Sequence, residues 1–64
     1  MDQFLRERII EILSTDGELS STAIQKKLGT NYYKAVEILE AMEKEKTIVS
    51  KSYGSFNKFW RLKQ

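Results

Sequence analysis

The chain has 64 residues, of which 41% are hydrophobic and 31% are charged, and its formal net charge is +2. A chain of this length buries only about 60% of the surface that it exposes when unfolded. It therefore has room for one small core and excludes a deep substrate cleft. Residues 1–64 are accordingly expected to form a single domain.

The residue types that are absent exclude further classes of function. The sequence contains no cysteine and no histidine, so it has no disulfides, no thiol nucleophile and neither of the commonest zinc ligands. No apolar run is long enough to span a membrane, and no signal peptide is visible. We expect a cytoplasmic protein that is not an enzyme and has no cofactor, metal, membrane or small-molecule ligand.

Charge is divided unevenly along the chain. Residues 1–45 carry six Lys and Arg against nine Asp and Glu, whereas residues 46–64 carry five Lys and Arg and no acid. Such an asymmetry indicates either a basic surface that meets a polyanion or a solvated tail. Charge alone does not choose between these two interpretations.

The first predicted helix covers residues 2–14. Its apolar residues recur at helical spacing, with Leu5, Ile9, Ile12 and Leu13 in one stripe that Phe4 and Ile10 widen. Asp2 is expected to cap this helix or to pair with Arg6, and Arg8 to pair with Glu11. Gly17 suits the left-handed position after a helix end. We interpret this segment as a core helix without a direct functional role.

A second, shorter helix is predicted after a serine pair, which follows a one-bridge strand at Glu18-Leu19. Ser20 or Ser21 caps the helix, because a hydroxyl accepts hydrogen bonds from the free amides of a first turn. The inward-facing residues are Ala23, Ile24 and Leu28. Gly29 then lies in a tight turn, and Thr30 or Asn31 caps a third helix.

The third helix is predicted over residues 32–46. Its buried stripe consists of Tyr32, Ala35, Val36, Leu39 and Met42, helped by Ile38, and its opposite face shows Tyr33, Lys34, Glu37, Glu40, Ala41 and Lys44. Two helices joined by a short turn with Gly are typical of a helix-turn-helix. In that motif the second helix lies in the DNA major groove.

A hairpin is predicted at the C-terminal end. Residues 47–52 and 56–62 form its strands, and Tyr53-Gly54-Ser55 forms its turn. An isolated hairpin is only marginally stable in water, so this one must pack on the helices, with Trp60 and Leu62 in the core. The expected fold class is α+β: a winged helix-turn-helix with three helices, a two-stranded wing and a minor short strand.

Part of the pattern resembles a known family. It consists of Ile24-Gln25-x-x-Leu28, Tyr32-x-Lys34-Ala35, Ile38-Leu39-Glu40-x-Met42-Glu43 and Ile48-Val49-Ser50. These segments, about half of the chain, resemble the C-terminal gamma domain of FtsK-type DNA translocases, a winged helix that recognises orienting sequences on the chromosome. The resemblance implies the winged-helix fold and DNA binding through the third helix.

The sequence departs from that family at the start of the third helix. The family has Tyr-Asn-Arg-Ala there, whereas this chain has Tyr33 and Lys34 in place of Asn and Arg. Because a lysine cannot reproduce the planar fork by which Arg binds guanine, the sequence preference of the family does not transfer. The chain also lacks an ATPase motif. Both a stand-alone regulator and an excised domain fit the sequence.

The predicted partner is double-stranded DNA, which the third helix and the hairpin would contact together. The four carboxylates from Glu37 to Glu45 indicate that only the first turn of the helix enters the groove. Hydroxyls and amides at the start of the second helix would bind a phosphate, and the hairpin would follow the backbone or the minor groove. The candidate residues are Ser20, Ser21, Thr22, Lys26, Asn31, Tyr33, Lys34, Glu37, Lys51, Tyr53, Lys58 and Arg61.

These contacts predict a small transcriptional regulator or a DNA-orienting accessory module, associated with the nucleoid in a bacterium or an archaeon. The alternative is a winged helix that mediates protein–protein interaction or dimerisation without binding DNA. Its apolar patch would consist of Phe4, Tyr33, Tyr53, Phe56 and Phe59. A homodimer is compatible with both functions. Asp16 and Glu18 are neighbouring carboxylates for which we expect local hydrogen bonding rather than catalysis.

Overall fold

The computed structural model describes residues 3–54 and 58–63. Their elements are α1 (Gln3–Asp16), β1 (Leu19–Ser20), α2 (Ser21–Leu28), α3 (Tyr32–Lys44), β2 (Ile48–Ser52) and β3 (Lys58–Leu62). The predicted α+β winged helix-turn-helix is confirmed. Predictions for Asp2 and for residues 55–57 lie outside the described residues. Within the described part, no helix combines the length and the hydropathy that crossing a membrane requires.

The strands form one antiparallel sheet in the order β1-β3-β2. The hairpin register runs from Ile48 opposite Leu62 to Ser52 opposite Lys58. On its other side, β3 pairs with β1, which places Leu19 opposite Trp60. The short strand predicted at residues 18–19 is therefore shifted by one residue. It joins the hairpin to the start of α2.

Helix α1 extends two residues further than predicted and buries one face only. It ends at Asp16, and the following Gly17 has a φ of 81° and donates its N–H to the Leu13 carbonyl at 2.9 Å. The buried residues of the helix are Ile9, Ile12 and Leu13. Phe4 is 75% exposed and Ile10 37% exposed, so neither residue widens the buried stripe, and Phe4 is exposed as the apolar-patch alternative requires. The other elements cover only the face of α1 that carries the narrower stripe.

The two helices of the helix-turn-helix are capped by side chains that the sequence singles out. Ser20 Oγ accepts from the Ala23 N–H at 3.1 Å, and Asn31 Oδ1 accepts from the Lys34 N–H at 2.7 Å. Helix α3 ends at Lys44, two residues before the predicted end, because Lys46 adopts a positive φ of 67°. These caps fix where each helix begins, and therefore which residues occupy its first turn.

The core lies between the helices and one face of the sheet. Trp60 is completely buried, as predicted, and Leu62 packs against the same cluster while partly exposed. The remaining members of the cluster are Ile9, Leu13, Ile24, Ile38, Leu39, Met42 and Ile48. The indole Nε1–H of Trp60 donates to Ser21 Oγ at 2.7 Å. This hydrogen bond ties the central strand to the first residue of α2.

Candidate nucleic-acid interface

The first turn of α3 presents two neighbouring aromatic rings to solvent. Tyr32 is 45% exposed and Tyr33 is 84% exposed, and their ring centroids lie 6.0 Å apart in an edge-on arrangement. The prediction that Tyr32 belongs to the buried stripe was wrong, because the fully buried positions of α3 begin only at Ala35. The capping residue Asn31 could have indicated this exposure. Because it is the N-cap, Tyr32 lies in the first turn of α3, which extends beyond the core.

Polar groups beside these rings are engaged with each other. The Asn31 side chain holds the helix cap. Lys34 Nζ lies 3.9 Å from Glu37 Oε1, and the two side chains are 38% and 73% exposed. At this exposure, the ion pair adds little to stability. The structure thus brings together the candidate residues of α3 at one helix end.

The second half of α3 carries carboxylates with different surroundings. Glu40 is exposed, whereas Glu43 accepts a hydrogen bond from Ser50 Oγ at 2.5 Å. Glu45, at the helix end, accepts two from Arg6 at 2.5 and 2.7 Å. These hydrogen bonds hold the pKa of the Glu45 carboxyl below its usual range. The arrangement fits a helix whose first turn, rather than its full length, approaches a polyanion.

The two serines at the start of α2 have different environments. Ser20 caps the helix, whereas Ser21 is 6% exposed. Besides accepting from Trp60, the Ser21 hydroxyl donates to the Lys58 carbonyl at 3.4 Å. The prediction that Ser21 contacts a phosphate was therefore wrong, because its hydroxyl is buried and hydrogen-bonded within the protein. The nearby candidates Thr22 and Lys26 are exposed.

The outer face of the sheet, opposite Trp60, carries two of the predicted hairpin cations. Val49 pairs with Arg61 and Lys51 pairs with Phe59, and paired residues share one face of a sheet. Arg61 and Lys51 are both exposed. Lys58 is different, because it alternates with Phe59 onto the other face, where its Nζ lies 4.9 Å from the centroid of the Trp60 ring. The structure therefore separates Lys58 from the other two cations.

Tyr53 folds back over this outer face. Its ring meets Phe59 edge-on at 5.0 Å, and its hydroxyl donates to the Glu18 carboxylate at 3.1 and 3.3 Å. Lys51 Nζ lies 5.4 Å from the centroid of the same ring. Partial burial raises the pKa of Tyr53, and the hydrogen bond and charge of Glu18 raise it further.

The carboxylates at and after the end of α1 contact residues that are distant in the sequence, so the prediction of local hydrogen bonding was wrong. Glu18 accepts the Tyr53 hydrogen bond, and Asp16 Oδ2 lies 3.4 Å from Lys27 Nζ. Glu18 thus fixes the base of the hairpin, while Asp16 joins α1 to α2.

No protein-family model matches this sequence, and no curated protein matches it either. Solved structures do share its architecture. A fragment (1–100) of a possible transcriptional regulatory protein from Mycobacterium bovis aligns with a TM-score of 0.85 and 24% identity, over 92% of this chain. The chain spans 61% of that fragment.

Zalpha domains form a second group of structural neighbours. The Zalpha domain of Carassius auratus PKZ in complex with Z-DNA aligns with a TM-score of 0.86 and 16% identity, over 95% of both chains. A PKZ Zalpha domain in complex with ds(CG)6 aligns with a TM-score of 0.87 and 18% identity, over 94% of this chain and 95% of that one. At these identities the likeness concerns the fold, and the chain has the fold of a winged helix.

Proposed function

We propose that this chain binds double-stranded DNA, with the first turn of α3 in the major groove and the hairpin along the adjacent phosphates. The observation that carries the proposal is a winged helix in which residues 46–64, which include the hairpin, have five cations and no acidic side chain. Phosphate neutralisation by Lys and Arg supplies most of the sequence-independent affinity for DNA. The Zalpha complexes with DNA support the use of this fold for a nucleic-acid interface.

The contacts of this proposal divide into backbone and base contacts. Lys51 and Arg61 neutralise phosphates from the outer face of the sheet, while Thr22 and Lys26 approach a phosphate near the start of α2. The first turn of α3 meets the base edges, with Asn31, Tyr33, Lys34 and Glu37 beside the groove. Tyr53 and Lys58 reach the backbone only by leaving Glu18 and the Trp60 ring, their partners in the unbound protein.

The biological role that we propose is that of a small transcriptional regulator or a DNA-orienting accessory module, cytoplasmic and associated with the nucleoid. The regulatory protein fragment from Mycobacterium bovis supports the first role. The residue pattern that resembles the FtsK gamma domain supports the second. A homodimer would place two α3 helices on paired half-sites.

The salt dependence of binding tests the proposal. With about four to six phosphate contacts, the slope of log affinity against log salt is about −4 to −5. The double variant Lys51→Gln and Arg61→Gln should make that slope shallower by about two. Arg8→Gln with Lys27→Gln removes the same charge from residues that pair with Glu11 and Asp16 and is the matched control.

Two results would contradict the proposed contacts between the hairpin and the DNA phosphates. One is an affinity that does not change with salt concentration. The other is an equal loss of affinity in both double variants, because a non-specific attraction between the protein's net charge and DNA would not distinguish the hairpin from the helices. A comparison of a right-handed duplex with a CG-repeat duplex in its left-handed form tests the groove. Preference for the left-handed form would exclude the major-groove arrangement.

A second candidate function is protein–protein interaction. The observation in its favour is Phe4, which is 75% exposed on α1, remote in sequence from α3 and from the hairpin. Within the predicted apolar patch, Tyr53 and Phe59 pack against each other, whereas Phe56 lies outside the described residues. Light scattering with and without duplex DNA separates the two functions: self-association that excludes DNA would favour this one.

A further inference from the structure

The residue types of α3 restrict what the helix can recognise. In the major groove, Arg or Lys binds guanine, Asn or Gln binds adenine, Glu or Asp accepts from cytosine, and apolar groups contact the thymine methyl. Helix α3, YYKAVEILEAMEK, contains no Arg, Asn or Gln. The usual bidentate contacts to purines are therefore missing from the helix, apart from those of lysine.

The polar residues at the start of α3 already make contacts within the protein, which weakens their capacity to contact bases. Asn31 uses its Oδ1 to cap the helix, at 2.7 Å from the Lys34 N. An asparagine that binds adenine needs that same oxygen to accept from the adenine amino group. Lys34 lies beside Glu37, whose carboxylate reduces the attraction of the lysine for an acceptor edge.

Apolar surface, by contrast, is concentrated in the same turn. Tyr32 and Tyr33 are the first two residues after the N-cap, and they are 45% and 84% exposed. Burying such rings is favourable in proportion to the apolar area that leaves water. The apolar feature that a major groove offers is the C5-methyl group of thymine.

We infer that the Tyr32–Tyr33 pair makes α3 selective for thymine, through contact of the tyrosine rings with C5-methyl groups in the major groove. This inference rests on the proposed function, because it requires that the first turn of α3 lies in that groove. It names the base that the interface prefers. The cationic hairpin supplies affinity that is independent of sequence.

The test compares a duplex of alternating adenine and thymine with the same duplex in which uracil replaces every thymine. The two differ in the major groove by the methyl group alone. Each methyl that the protein buries should strengthen wild-type binding about fourfold, as expected for one buried carbon. The Tyr32→Ala and Tyr33→Ala double variant should bind both duplexes equally, while Phe4→Ala, at an exposed aromatic on α1, should retain the wild-type preference.

Further variants separate the ring from its hydroxyl. Tyr33→Phe keeps the apolar ring and should keep the preference for thymine; loss of the preference in this variant would overturn methyl contact. Melting curves check the fold of each variant. Tyr33→Phe should leave the melting temperature unchanged, because the Tyr33 side chain is 84% exposed.

The outcomes distinguish this inference from the proposed function. Equal, salt-dependent wild-type binding of the thymine and uracil duplexes would overturn thymine selectivity and leave DNA binding intact. Failure to bind either duplex would overturn both. A preference that persists in the double tyrosine variant would assign the discrimination to duplex shape and overturn the role of the rings.

Discussion

The helices and the hairpin contribute to this molecule in different ways. Six residues of the core cluster lie on the helices, which also carry all of the acidic residues in the described elements. The hairpin contributes Ile48 and Trp60 to the core, and the charged residues of its two strands are Lys51, Lys58 and Arg61. The helices thus supply most of the core and carry charges of both signs, whereas the charged residues of the strands β2 and β3 are all basic. The position of the basic hairpin therefore depends on a few side-chain contacts that attach it to the rest of the protein.

Those attachments differ in burial. Trp60 is fully buried and is hydrogen-bonded to Ser21, whereas Tyr53 is 43% exposed and reaches Glu18 across the outer face. A buried attachment that loses its partner leaves an unsatisfied polar group, while an exposed one exchanges its partner for water. Substitutions at these residues should therefore have graded effects.

Trp60→Ala should have the largest effect. Deletion of a fully buried aromatic side chain costs about 3–5 kcal/mol, which is comparable to the whole stability that a core of this size supplies. We expect no cooperative transition in thermal unfolding followed by circular dichroism. The control is Tyr33→Ala, at a side chain that is 84% exposed. A cooperative transition near the wild-type temperature would show that the hairpin does not need this attachment.

Ser21→Ala should destabilise the protein by about 1–3 kcal/mol, because the Trp60 Nε1–H loses its acceptor inside the core. Ser20→Ala is the neighbouring comparison and should cost about 1 kcal/mol through loss of the cap. Chemical denaturation measures both values. Hydrogen exchange should place the loss of protection in β3 for Ser21→Ala and in α2 for Ser20→Ala. The reverse pattern would contradict the assigned roles.

The contact between Arg6 and Glu45 gives the helical part a sensitivity to acid. Because the folded pKa of Glu45 is lowered from its ordinary 4.5, its contribution to stability is present above that pH and is lost as the pH falls through the folded pKa. Glu45→Gln should remove this part of the acid dependence. Melting curves from neutral to acidic pH measure the difference, and parallel curves for both proteins would contradict the prediction.

Substitution of Tyr53 should have the smallest effect on stability, and this effect should depend on pH in the basic range. Its folded pKa is raised above the ordinary 10.0, so its contribution is present below that pH and is lost as the pH rises through the folded pKa. Tyr53→Phe should lower the melting temperature slightly at neutral pH and approach the wild type in base. A difference between the two proteins that persists at high pH would contradict this hydrogen bond as the cause.

The sequence predicts the elements whose signals are local. Gly29 and Asn31 mark the turn of the helix-turn-helix through backbone conformation and capping, and both residues behave as expected. Trp60 is predicted as core because a large apolar side chain in a marginal hairpin needs a partner. The turn and the caps depend on neighbours within a few residues, and the burial of Trp60 follows from its size, which is why these features could be predicted from the pattern.

Features that depend on distant residues could not be predicted. Ser20 and Ser21 are equivalent as caps, and only the approach of Trp60, 39 residues away, decides that Ser21 is buried. Tyr32 continues the apolar period of α3, yet the core ends before it. For the candidate interface, the residue types were predictable, but the folding of Tyr53 onto Glu18 and the position of Lys58 were not.

Trp60 is the single tryptophan of the sequence, and its buried, hydrogen-bonded ring has Lys58 Nζ at 4.9 Å. Its emission is therefore a built-in optical probe of the seam between sheet and helices. Detachment of the hairpin would expose the indole to water and shift its fluorescence emission to longer wavelengths. A phosphate that draws Lys58 away would change the intensity while the ring stays dry. One chromophore thus separates unfolding from ligand capture without any added label.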